Sequence, residues 1–268
     1  MTEVIFFDPK LEFVQRESSK VLEFVKIKII IVINLISVSK SRIWENGAEL
    51  LIRRLEGVLK EGKRCLLLLS GGSAVNLYQR LAEYIDKSQF GSENLAVGQA
   101  DERFQPDSPD EVNYRAIEKS GLIRVLKKKN ISIYKIFQTE NLAQSAGQYS
   151  RILDDLFKKY DYRMTVLGIG RDGHTAGLLP GYKHEWDKKT WVVGYENNGL
   201  YRQRISITAK TIGRLDYGMV VISGEEKREA MGKITGRRGN IDKIPGLLIH
   251  KIRQVDLVTE IKRGGNRN

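Results

Sequence analysis

The chain is poor in the residues that build staples and metal centres. Cys65 is its only cysteine, so no disulfide can form within the chain. Its three histidines are scattered, and no His/Cys set falls at zinc-ligand spacing. No metal is therefore expected. Long apolar runs are missing too. Residues 27–38, rich in isoleucine and valine, are interrupted by Lys28, Asn34 and Ser37. They fall short of the about 20 residues that span a bilayer. No membrane partner is expected, although the run has the composition of an aggregation-prone window unless something covers it. The first residues carry neither a charged n-region nor a cleavage site, so a cytoplasmic location is the expectation. There is no internal repeat and no low-complexity linker. Acidic residues are also in deficit: 33 Asp plus Glu face 45 Lys plus Arg, for a net charge of +12. Such a balance favours anionic partners. The basic residues are spread along the chain, with short clusters at 127–129, 237–238 and the tail, and no aromatics interleave a dense basic stripe. A nucleic-acid partner is therefore not expected.

At 268 residues and 41% hydrophobic, the chain can bury a substantial α/β core. Its organising stretch is 164–180. An apolar run, 164–169, reads as a buried strand and passes into a turn with Gly168, Gly170 and Gly173. Asp172 and His174 are set into that turn. Open α/β sheets hold their ligands at the carboxyl ends of strands, which makes His174 a candidate general base rather than a turn histidine bound to a nearby carbonyl. The glycines also spell G-x-G-x-x-G, with Glu196 further on. A dinucleotide site is rejected because Pro180-Gly181 stops any long helix and Asp172 would put a negative charge in the phosphate cradle.

Other segments repeat the pattern of strand, polar turn and helix. Residues 4–7 read as a strand closed by Asp8-Pro9, 11–24 as a helix, and 27–38 in part as a core strand. Residues 47–60 are helical. The apolar strand 65–69 runs into Ser70-Gly71-Gly72-Ser73 and a helix through Leu77, Leu81 and Ile85, a ready anion site. Strand 95–100 ends at Asp101-Glu102-Arg103. A helix at 110–119, a strand at 131–136 and a helix at 142–159 follow. After Pro180 come short strands at 191–195 and 204–208, the second opening with Arg204. A strand at 218–222 leads through Gly224 and Lys227 into another helix, and 245–251 and 255–259 read as a short helix and a last strand. This alternation predicts a doubly wound, mostly parallel sheet with helices on both faces. Three polar loops would then meet at one sheet edge.

Ser70-Gly71-Gly72-Ser73, Asp101-Glu102-Arg103 with Asn113-Tyr114, Gly168-x-Gly170-x-Asp172-Gly173-His174-Thr175-Ala176, residues 204–208 and Gly224-Glu225-Glu226-Lys227 occur together in one order. On these motifs, over roughly 50–259, the chain resembles the 6-phosphogluconolactonase family within the glucosamine-6-phosphate deaminase/lactonase superfamily. Arg103 and Leu178-Leu179-Pro180-Gly181 look like the lactonase branch. The chain departs from the family at Ala74-Val75, where Thr-Pro is usual, at 110–113, and at 23–48, which has no recognised counterpart.

The resemblance implies a single unit over 1–268; the tail at 262–268, basic and glycine-rich, is expected to fray. It implies hydrolysis of a phosphorylated sugar lactone, 6-phospho-D-glucono-1,5-lactone, without a cofactor, by a monomer or small homo-oligomer. In that reading His174 is the base that activates water, Asp172 orients it or stabilises its imidazolium, and Arg103 stabilises charge or helps hold phosphate. Gly71, Gly72, Ser73, Arg204 and Lys227 clamp the phosphate, with Asp101 and Glu102 among the substrate-binding groups. The rivals are a deaminase of amino-sugar phosphates and a sugar-phosphate sensor without catalysis.

Overall fold

The computed structural model describes residues 2–18, 21–183 and 185–262. In chain order, β1 (Thr2–Ser18) and β2 (Val21–Ser37) precede α1 (Ile43–Lys60), β3 (Cys65–Leu69) and α2 (Tyr78–Lys87). Next come β4 (Leu95–Gln99), β5 (Asp101–Arg103), α3 (Asn113–Lys119), α4 (Leu122–Lys128) and β6 (Ser132–Tyr134). They are followed by α5 (Leu142–Lys159), β7 (Tyr162–Gly168), α6 (Trp186–Lys189), β8 (Val192–Glu196) and β9 (Gln203–Ile207). The described chain closes with α7 (Ala209–Ile212), β10 (Tyr217–Ile222), α8 (Arg228–Thr235) and β11 (Gln254–Thr259).

The main sheet runs in the order β1-β2-β11-β10-β7-β3-β4-β6. Every neighbouring pair from β2 to β6 is parallel, and β1 lies antiparallel at one edge. Strands covered on both faces need apolar side chains at every position, and β3 meets that demand: all five of its residues are buried. Cys65, Leu67 and Leu69 join one core layer with α1, α2 and α4, through Leu51, Leu55, Leu81 and Leu126. Leu66 and Leu68 join the other, with Leu153, Leu156 and Phe157 of α5 and Met231 and Ile234 of α8. The expected doubly wound architecture is therefore the one observed. The boundaries of α5 are as read from the sequence, and its first turn is fixed by Asn141, whose side chain accepts from the Gln144 N–H at 2.9 Å.

Several expectations need correction. Residues 11–24, expected as a helix, belong to β1 and β2 wherever they are described, paired from Thr2↔Leu35 to Ser18↔Val21. Pairing with the β-branched run on β2 overrides the local helical spacing. Asp8-Pro9 does not end the first strand. It falls at a register shift between Phe7 and Leu11, where a bulge tolerates a residue that cannot donate to the ladder. The 27–38 run is mostly β2, which joins the main sheet through β11 from Val32 to Ser37. Asn34, which interrupts that run, stands opposite Asp256 and donates to it at 2.7 Å, and Tyr217 donates to the other carboxylate oxygen at 2.7 Å. The helix after Ser73 begins only at Tyr78, because Gly72–Leu77 forms a tighter 3-10 turn. The short helix at 245–251 is likewise a 3-10 turn, and α3 starts at Asn113 rather than 110.

The sequence did not single out α4, nor a second sheet. β5, β9 and β8 form a separate three-stranded antiparallel sheet. No helix among the described residues is long and apolar enough to cross a membrane. The frayed tail expected at 262–268 lies outside the described residues beyond Lys262.

Candidate functional site

β3, β4 and β7 are parallel neighbours, so the loops leaving Leu69, Gln99 and Gly168 emerge along one edge, with β10 next to β7. The loop after β4 at once becomes β5 of the small sheet. There, Asp101 opposes Ser206, Arg103 opposes Arg204, and Arg204 opposes Tyr195. The period of two places Asp101, Arg103, Arg204, Ser206 and Tyr195 on one face. Ile205, Ile207 and Val192 are buried in the layer of α5, and a Cβ on Gly194 would meet Leu142 O at 2.9 Å, so α5 packs directly on the backbone there. The polar face grips the turn that follows β7. Ser206 Oγ accepts from the Gly177 N–H at 3.1 Å, while Tyr195 donates its hydroxyl to Gly177 O at 2.6 Å and accepts from the Leu179 N–H at 3.0 Å.

Within that turn, the Gly170 N–H donates to His174 O and the Gly173 N–H to Gly170 O, both at 3.0 Å. Gly173 takes φ +83°, which only glycine adopts freely. The fold brings His174 Nδ1 to 2.6 Å from Asp172 Oδ1, and the same oxygen accepts the His174 backbone N–H at 3.1 Å. A carboxylate acceptor at Nδ1 selects the tautomer with the proton on Nδ1 and leaves Nε2 with its lone pair. Burial alone would raise Asp172, but the hydrogen bond and charge of His174 outweigh it and hold the carboxyl below its usual range. Gly170 leaves the space for this pair: a Cβ there would lie 2.1 Å from His174 Nδ1 and 2.7 Å from Asp172 Oδ1.

Asp101 is buried beside this turn. Its Oδ2 accepts from Asn113 Nδ2 at 2.8 Å, and its Oδ1 has no hydrogen-bond partner among the described residues. Burial pushes its carboxyl up, against the pull of the Arg204 guanidinium and, more weakly, of His174. Asn113 also fixes the loop after β3, for a Cβ on Gly71 would meet Asn113 Oδ1 at 2.1 Å. Gly72 has φ +59°, and Ser73 stands half-buried beside β7.

Glu102, one residue on, points the other way. Its carboxylate accepts from the Arg103 N–H at 2.8 Å, Gln99 Nε2 at 2.8 Å, the Tyr114 N–H at 2.9 Å and the Asn113 N–H. It closes the amino end of α3, and burial pushes it up to about 7 even against these four donors. The structure thus does not turn Glu102 towards the other candidates.

Arg103 donates from Nη1 to Glu111 O at 2.9 Å, and the Nε atoms of Arg103 and Arg204 are both buried without a partner among the described residues. Lys227 is half-buried at the start of α8; its backbone N–H donates to Gly224 O at 3.0 Å, while its ammonium makes no hydrogen bond or ion pair with a described residue. Burial lowers its pKa, opposed by Glu226 and Glu260.

Sequence reasoning overlooked Tyr195 and Ser206. The alternation of Arg204 and Ser206 with Ile205 and Ile207 was signal enough for Ser206. For Tyr195, nothing local marks the contact. A cavity of about 1000 Å³ opens beside the turn, between Arg171, Asp172, Gly173, α8 and the loop that includes Arg238 and Lys243. Its cationic lining adds to a field that draws anions to this edge. Among the described residues, no three His, Cys, Asp or Glu side chains group to hold a metal ion.

The family model of glucosamine-6-phosphate isomerases/6-phosphogluconolactonase matches residues 39–258. The chain is 27% identical over 198 residues to "6-phosphogluconolactonase 3, chloroplastic" of Arabidopsis thaliana, covering 68% of this chain and 59% of that one. It thus spans about three fifths of the length of the first curated relatives it matches. Among solved structures, the 6-phosphogluconolactonase from Plasmodium vivax superposes with a TM-score of 0.70 at 17% identity, over 87% of this chain and 92% of that one. A monomeric glucosamine-6-phosphate deaminase superposes at 0.66 and 17% identity, over 84% and 96%. At such identities the superpositions establish the fold, which both chemistries share.

Proposed function

The chain belongs to the glucosamine-6-phosphate isomerase/6-phosphogluconolactonase family, and from that premise we propose that it hydrolyses 6-phospho-D-glucono-1,5-lactone to 6-phosphogluconate. The observation that carries this reading is the Asp172–His174 pair, held at 2.6 Å through Nδ1, with Nε2 bound to none of the described residues. Nε2 takes a proton from water as the water oxygen bonds to the lactone carbonyl carbon. The tetrahedral intermediate then collapses, the bond to the ring oxygen breaks, and the imidazolium returns the proton to that oxygen. Asp172 stabilises the imidazolium. Gly71, Gly72, Ser73, Arg204 and Lys227 hold the phosphate, Arg103 adds positive charge, and Asp101 lies within the field of both Arg204 and His174. Glu102 is assigned a positioning role, because all its donors belong to the protein. We take 1–268 to work as one unit, with β1 and β2 extending its sheet outside the family match.

The rival deaminase reading has less support. Its branch carries Asn-Glu-Pro-Gly after the histidine, where this chain has Leu178-Leu179-Pro180-Gly181, and Leu178 is buried in the core. The test is the change His174→Asn, assayed on freshly generated lactone against its spontaneous hydrolysis. Loss of the base should cut kcat by about 10²–10⁴-fold while 6-phosphogluconate still binds. Asp172 is held below its usual range, so it stays ionised beside His174 as the pH falls. Near-wild-type turnover by the variant would reduce His174 to a turn residue. Ammonia release from glucosamine 6-phosphate without lactone turnover would establish the deaminase. Binding of sugar phosphates with neither reaction would establish the sensor.

A further inference from the structure

Arg103 and Arg204 face each other directly across β5 and β9. Like charges in that position repel, and neither makes an ion pair with a carboxylate among the described residues. A third group makes the arrangement tenable. The ring of Tyr201 has the Arg103 guanidinium carbon 4.1 Å from its centroid and that of Arg204 at 5.6 Å, both within cation–π reach.

Tyr201 owes its place to the hairpin between β8 and β9. Asn197 closes that hairpin: its Nδ2 donates to Tyr201 O at 3.0 Å and to Arg202 O at 2.8 Å, and its Oδ1 accepts from the Gly199 N–H at 2.6 Å. Leu200, at the tip, is 89% exposed, so the hairpin is held by its own polar contacts rather than by burial of its tip. Two guanidinium groups against one ring, each with a buried Nε–H that has no acceptor among the described residues, form a receptor built for an anion. Two cations match the charge of a phosphate monoester dianion, and guanidinium forks match its oxygens.

We propose that Tyr201 is a positioning residue that holds Arg103 and Arg204 together as a two-guanidinium receptor for a phosphate dianion. The assignment of that dianion to the substrate rests on the lactonase reading above. The receptor itself does not, and the test separates the two.

The experiment measures binding of inorganic phosphate and of 6-phosphogluconate to the wild type, Tyr201→Leu, Tyr201→Phe and Arg103→Ala/Arg204→Ala, with gluconate as the ligand lacking phosphate. Leu keeps bulk but has no ring face, and should weaken both phosphate ligands by about five- to thirtyfold, the loss of two cation–π contacts. Phe keeps the ring face and should restore wild-type binding, which a hydroxyl-dependent role would not reproduce. Gluconate should not respond. Adding Tyr201→Leu to the double arginine variant should cost nothing further. Wild-type affinity in Tyr201→Leu, an equal loss in Tyr201→Phe, an undiminished loss without the arginines, or a wild type that binds no phosphate would each overturn the proposal. If phosphate binding follows the expected pattern but the wild type turns over no lactone, the receptor stands and the lactonase reading fails.

Discussion

Two flanks of the same sheet make opposite demands on their residues. At the edge where β3, β4 and β7 end, single atoms decide what fits. A Cβ on Gly170 or Gly71 would lie 2.1 Å from an atom of His174 or Asn113, and Asp101 and Glu102, adjacent and both buried, serve different partners because a strand alternates its faces. On the β1–β2 flank the requirement is generic. Ile31, Ile33 and Leu35 are buried, and Asn34 is the position tied to a particular partner, Asp256. Chemistry constrains identity, whereas sheet extension constrains only pattern.

The comparison breaks first at Gly170. Its φ lies outside the left-handed region, so the backbone tolerates alanine, but the new methyl and the Asp172–His174 contact cannot coexist. Gly170→Ala should cost kcat about 10²–10⁴-fold, as loss of the base would, while far-UV circular dichroism stays that of the folded protein. Turnover near wild type would show that the turn yields and that the pair is not the working geometry. Smaller effects are expected at the cations. Arg204→Ala or Lys227→Ala should raise KM for the phosphorylated lactone by about ten- to a hundredfold, the worth of a charge-assisted contact. Unphosphorylated gluconolactone should barely respond, and equal losses on both lactones would remove these residues from the phosphate.

How much of this was legible follows from the same contrast. The strand at 65–69, the helix at 142–159 and the Gly-Arg-Asp-Gly-His turn at 170–174 stand out because burial on both faces, helical period and glycine geometry leave marks within a few residues. The convergence of Ser70–Ser73, Asp101 and His174 followed from parallel strands alone. The small antiparallel sheet did not, since the pairing of Asp101 with Ser206 joins residues far apart in the chain. Glu102 was read with its neighbours because proximity in sequence hides opposite facing in a strand. Residues 11–24 carry helical spacing that only the presence of β2 overrules.

Glu102 offers a milder test, on stability rather than turnover. Its folded pKa is raised, from the ordinary 4.5 to about 7, because burial disfavours the charge. A raised acid binds its proton more tightly when folded. Its stabilising contribution is therefore complete below pH 4.5 and is lost as pH rises through about 7, with a slope of at most about 1.4 kcal/mol per pH unit. Denaturant unfolding across that window should show the decline in the wild type and not in Glu102→Gln. The variant should be less stable overall by about 1–3 kcal/mol, because its amide presents donors where the Tyr114 N–H and Gln99 need an acceptor. An identical pH profile in both proteins would assign the decline to other groups.

The smallest effect is expected at the far flank. β1 is the edge strand and pairs with β2 alone, whereas β2 is also held by β11 over Val32–Ser37 and carries Ile31, Ile33 and Leu35 into buried positions. Excising 23–48 would remove that strand and the first turn of α1, so loss of activity there would report only on folding. Removing 2–18 is the cleaner cut, since it leaves β2 paired on its β11 side. Catalytic constants should then stay near their wild-type values, since β1 pairs with none of the strands whose ends carry the site. The cost should appear elsewhere. β2 would become an edge with unpaired N–H and C=O groups along an isoleucine-rich run, a template for pairing between chains. Light scattering on warming should therefore rise in the trimmed protein while its kcat/KM holds. A soluble, folded but inactive trimmed protein would show that this flank, too, helps to build the site.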